Sequence, residues 1–114
     1  MIVLLVLNAL VATAGTGFAV AAAVRPESLS YSDAPTAGER FYAWMYTARG
    51  VPLGVLTAVV PFVATGTAAV LCLVAAAVAQ AADAGIGLSR GERRMVVGAG
   101  VATLVHVVTA VAVG

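Results

Sequence analysis

Asp83, Gln80, Arg49 and His106 are ionisable or strongly polar side chains set inside otherwise apolar runs of the chain. Charge in hydrocarbon costs about 2.5–3.5 kcal/mol per residue on insertion scales, so such groups face one another, a cavity or a ligand rather than lipid. The chemistry they offer is acid–base. His106 titrates near neutrality in its free form and is the natural proton carrier. Asp83 is a candidate general acid, although a nearby Arg49 would favour its carboxylate. These two form the candidate catalytic pair.

Around them lie candidate ligand-binding groups. Gln80 and Asp83 are spaced i, i+3, and Tyr42, Tyr46 and Arg49 are spaced i, i+4, i+7, so each set shares one helical face. The arrangement expected is an inward cluster in which Arg49 pairs with Asp83 while Tyr46, Gln80 and His106 stand nearby. Its simplest alternative use is structural: an Arg–Asp clasp between helices, with His106 donating to a backbone carbonyl or to Thr103. Polar side chains do join membrane helices, by about 0.6 kcal/mol on average. Asn8 reads as such a joining residue.

Other chemistries are set aside by residue counts. One His and one Cys cannot supply a structural zinc site. Lone Cys72 excludes an internal disulfide or a CxxC redox pair and reads as a small packing residue. Every Ser lies in a predicted loop, so no buried Ser–His–Asp triad can form. No glycine-rich phosphate loop follows a strand, because no strand is expected. The expected chemistry needs neither metal nor cofactor. A net charge of +1 with no basic cluster argues against nucleic acid as a partner.

The elements that must position these groups are membrane helices. The chain of 114 residues is 62% hydrophobic and only 10% charged, where a soluble domain carries about 25% charged residues. Its mean hydropathy is +1.07. A fold of this size has too little interior to hide that much apolar surface. Four spans are expected, near 1–24, 37–60, 67–84 and 92–113, in an all-α antiparallel bundle forming a single domain. The first is read as a retained span, because no Lys or Arg precedes it and it exceeds the apolar core of a signal peptide.

Thr36 with Glu39 three residues on matches a capping box opening the second helix. Phe41, Tyr42 and Trp44 fit an interfacial aromatic belt. Pro52 should kink that helix, and Pro61 should close it. Gly85 and Gly87 should end the third helix, with Leu88 to Arg94 as a short polar loop. Leu29 and Tyr31, in the long polar loop, could return to the interface. Counted from the Arg-bearing ends at about 1.5 Å per residue, Arg49 and His106 come to a similar depth, roughly 18–20 Å.

Five of the six Arg, namely Arg25, Arg40, Arg90, Arg93 and Arg94, fall in the first and third loops. The positive-inside rule puts those loops in the cytoplasm and both termini outside. Heavy use of Ala, Val, Gly and Arg with no Lys is the usage of a GC-rich bacterial genome. The setting expected is thus a bacterial cytoplasmic membrane.

The stretch Met45–Tyr46–Thr47–Ala48–Arg49–Gly50–Val51–Pro52–Leu53–Gly54 resembles the second-helix signature of DoxX-like and related small bacterial four-helix membrane proteins. Gln80 to Ala84 and the late-helix His106 fit the same pattern. The resemblance covers most of the chain and implies a four-helix bundle in which Arg49, Asp83 and His106 carry the role. Pro52 departs from it, where relatives often have a charged residue. Roles proposed in that group include membrane partners of redox enzymes.

Three functions follow as expectations. The first is a site that binds, and by acid–base chemistry isomerises or cyclises, a lipophilic small molecule such as a terpenoid or quinone. The alternative is a non-enzymatic subunit of a membrane redox or biosynthetic complex, using its Ala- and Gly-rich faces against a protein partner or a second copy. A proton-linked transporter or relay ranks third, four helices being few for alternating access.

Overall fold

The computed structural model describes residues 1–27 and 33–114. The return of Leu29 and Tyr31 to the interface lies outside the described residues. Four helices follow in chain order: α1 (Ile2–Val24), α2 (Ala37–Val63), α3 (Thr67–Arg90) and α4 (Arg93–Val113). Each is long and apolar enough to cross a membrane. They form an all-α four-helix membrane bundle, 45 Å along its long axis. That length matches a bilayer with its headgroup layers, about 40–45 Å.

Half of the expected capping box forms at the start of α2: the Thr36 hydroxyl accepts from the Glu39 backbone N–H at 3.1 Å, whereas the Glu39 Oε2 is buried without a hydrogen-bond partner among the described residues. Two expected ends shift. Pro61 does not close α2, which runs on to Val63 and contains both Pro52 and Pro61. A proline deletes one helical hydrogen bond and leaves the carbonyl four residues back without its donor. At Pro61 a neighbouring helix supplies that donor, as described below. Likewise Gly85 and Gly87 do not end α3, which continues to Arg90. A glycine inside a helix costs only about 1 kcal/mol, which the packing of a long helix can offset. The stop is Gly91, in the left-handed region at φ 71°, whose N–H reaches back to the Gly87 and Leu88 carbonyls. The expected loop from Leu88 to Arg94 therefore shrinks to Gly91 and Glu92.

The helices pack as two close hairpins, α1 with α2 and α3 with α4, and the joints between hairpins (α1–α4 and α2–α3) are much lighter. Small residues make the α1–α2 approach close. A Cβ at Gly54 would land on the Thr16 hydroxyl, and one at Gly50 would lie 2.9 Å from Ala19 Cβ. The single hydroxyl proton of Thr47 is shared between two carbonyls, Ala19 O across the same joint and Ala43 O within its own helix. In α3–α4, a Cβ at Gly87 would come within 3.2 Å of Met95 and Val96. The inter-hairpin apolar core sits near the chain termini, where buried Ala69, Leu73, Ala110 and Val113 gather with Leu5, Val60 and Val70 against them. The Gly66 N–H donates to the Val113 carbonyl at 3.0 Å, which levels α4 with the start of α3 at that end.

Candidate functional site

The site is built at two levels. Nearest the termini lies a buried chain of hydrogen bonds. Pro61 leaves the Thr57 carbonyl without its helical donor. Asn8 Nδ2 of α1 donates to that carbonyl at 2.9 Å. The Asn8 Oδ1 faces His106 Nδ1 of α4 at 2.7 Å. Asn8, Thr57 and His106 are all buried. One amide thus joins α1 to both α2 and α4 in the buried interior, where an unsatisfied polar group is costly. The neighbouring hydroxyls stay local: Thr57 donates to Leu53 O, Thr103 to Ala99 O and Thr109 to Val105 O. His106 accordingly pairs with α1, not with a backbone carbonyl or Thr103.

The second level lies deeper toward the Arg-bearing loops. A cavity of about 40 Å³ opens between the hairpins. Tyr46 and Arg49 of α2, Gln80 and Asp83 of α3, and His106 of α4 line it, against Ala12 and Gly15 of α1 and the glycine face of α2. Four of the expected polar groups therefore converge on one cavity with His106 at its far end. Arg49 and Asp83 share the cavity without the expected contact pair: the Arg49 guanidinium and the Asp83 carboxylate do not approach within 4.0 Å of one another. Tyr46, Arg49, Gln80 and Asp83 make no side-chain hydrogen bond to another described residue, in contrast to the satisfied level above.

Tyr42 does not reach this cavity. It is 70% exposed, and its ring meets Phe41 edge-on at 5.5 Å, the disposition of a belt residue. The expected common depth of Arg49 and His106 is also revised. His106 is level with Thr57, eight residues beyond Arg49 on α2, or about 12 Å along the axis. The difference arises because α2 has 27 residues and α4 has 21, and the two are levelled at the terminal end. The extra turns of α2 project at the loop end.

Asn8 is the member that the polar cluster lacked when depth was counted from the loop ends. Counted from the other end, Asn8 lies about 9 Å from Ile2 and His106 about 10 Å from Val113, which signals one level. No protein-family model, curated protein or solved structure matches the chain. The resemblance to the DoxX-like group rests on the quoted residues alone.

Proposed function

We propose that this protein binds a lipophilic small molecule, terpenoid- or quinone-like, by its polar head in the cavity between the two hairpins. The observation that carries this reading is the convergence of Tyr46, Arg49, Gln80 and Asp83 on one cavity without hydrogen bonds to one another. Binding sites are mostly apolar with a few convergent polar groups, and intramembrane charges mark ligand or proton paths. A cavity of about 40 Å³ suits a head group or a few waters, since one water needs roughly 10–15 Å³ of such volume. A whole drug-sized ligand needs several hundred Å³. The tail would therefore extend from the cavity along the light joints between the two hairpins. Asp83 and His106 are the groups that would exchange protons with the head, so isomerisation or cyclisation is the reaction class this site would support.

The first and third loops, flanked by the arginine-bearing helix ends, are assigned to the cytoplasm and the termini to the outside of a bacterial membrane, on the positive-inside rule. A subunit role is the second reading. Gly98 and Gly100 on α4 have open space where a Cβ would stand, a surface on which a partner helix could pack closely.

Native mass spectrometry after mild extraction tests the proposal. Wild type should carry a lipophilic small molecule, with occupancy falling at least tenfold in Arg49→Gln or Asp83→Asn. An empty wild type with a stoichiometric protein partner would replace this function by the subunit role.

A further inference from the structure

The hydrogen-bond chain at the terminal level has a direction, and the direction decides what His106 offers the cavity. A carbonyl can only accept, so Asn8 must turn its NH₂ toward Thr57 O, 2.9 Å away. Its oxygen is thereby committed to His106 Nδ1 at 2.7 Å. An amide oxygen also only accepts, so Nδ1 must be the nitrogen that carries the proton. In a neutral imidazole the other nitrogen then holds a bare lone pair. No described residue bonds Nε2, and His106 lines the cavity.

We infer that Pro61, Thr57 and Asn8 fix His106 as the Nδ1–H tautomer, so that the cavity presents a hydrogen-bond acceptor at Nε2 and selects ligands bearing a hydroxyl, a lipophilic alcohol or phenol. Asn8 and Pro61 are positioning residues that act through His106. Pro61 matters because a residue with an N–H there would satisfy Thr57 O within the helix and release the Asn8 amide to rotate. At the other end of the cavity Arg49 donates only, so it suits an oxygen acceptor. A carbonyl in place of the hydroxyl would put two acceptors face to face at Nε2 and bind more weakly, which narrows the proposed ligand to a terpenoid alcohol or to a quinol rather than its quinone. This ligand preference rests on the lipophile-binding function above, whereas the tautomer does not.

The chain has a single histidine, so ¹⁵N-histidine labelling gives one imidazole to read. The protein is placed in lipid nanodiscs at a pH where the ring is neutral, and its nitrogen signals are recorded. The expected result is a protonated Nδ1 and an unprotonated Nε2. In Asn8→Leu this preference should be lost, while Asn8→Asp, which keeps an acceptor opposite Nδ1, should retain it. A wild-type ring protonated at Nε2 overturns the inference without touching the Arg49–Asp83 end of the site. Farnesol and its methyl ether are then titrated into the labelled protein. Farnesol should shift the Nε2 signal and bind at least tenfold more tightly than the ether. Equal shifts from both overturn the hydroxyl preference. Absence of any bound lipophile in the mass-spectrometric test instead removes the underlying function and leaves the tautomer result standing.

Discussion

Asn8 donates to the Thr57 carbonyl at 2.9 Å, the carbonyl that Pro61 strips of its helical partner. A residue on α1 thus satisfies the carbonyl that Pro61 leaves open in α2. Asn8→Leu should lower stability by about 1–2 kcal/mol, the upper range for polar contacts between membrane helices. Pro61→Ala restores the missing N–H and should offset much of that loss in the double variant. A double-mutant cycle on unfolding in bicelles should return a coupling of at least about 0.5 kcal/mol. Strict additivity would show that the proline and the amide are independent.

How much of this was legible beforehand follows from what each residue depends on. The four spans follow from apolar run length, and the start of α2 from Thr36 with Glu39, both local properties. The ends of α2 and α3 were not legible. Pro61 and Gly87 are breakers only when no neighbouring helix compensates, and Asn8, Met95 and Val96 belong to other helices. The cavity-lining set of Tyr46, Arg49, Gln80 and Asp83 was readable from helical spacing. The partner of His106 was not, because it depends on how unequal helices are levelled, and that is set by the Gly66–Val113 hydrogen bond.

Gly54 should be the least replaceable glycine of the α1–α2 joint, since an added Cβ falls on Thr16. Gly54→Ala should cost about 1–3 kcal/mol, as overpacking does. Gly98 has open space, so Gly98→Ala should be neutral or stabilise by about 0.5–1 kcal/mol. Thermal unfolding of the two variants in the same detergent checks this. Equal melting temperatures would mean that the close α1–α2 approach does not hold the bundle.

The two tyrosines that share a helical face should separate in function. Tyr46 lines the cavity and Tyr42 is exposed beside Phe41. Tyr46→Phe should reduce ligand occupancy several-fold in native mass spectra, whereas Tyr42→Ala should leave it unchanged. A loss confined to Tyr42→Ala would move the ligand to the membrane interface.

Sidedness is checked by labelling. In a Cys72→Ser background, Thr65→Cys lies at the terminal end and Ser89→Cys near the Arg-bearing turn. An impermeant maleimide applied to intact cells should modify the former and not the latter. The reverse pattern would invert the proposed orientation and place the arginines outside.

Arg49 and Asp83 separate a ligand site from a structural clasp. They share a cavity without a contact pair, so neither depends on the other for its only hydrogen bonds. Removing one partner of a buried, mutually bonded ion pair costs about 3–5 kcal/mol, because the survivor is stranded. Pairs at a distance in a wetter setting are worth about 0–1 kcal/mol. The expected outcome for Arg49→Gln and for Asp83→Asn is a stability change of no more than about 1 kcal/mol, with weak coupling in the double variant. Ligand occupancy should fall at least tenfold in each. Unfolding free energies and occupancies measured on the same preparations decide between the two. Losses of several kcal/mol that recover in the double variant, with occupancy following stability, would make the pair a clasp between α2 and α3.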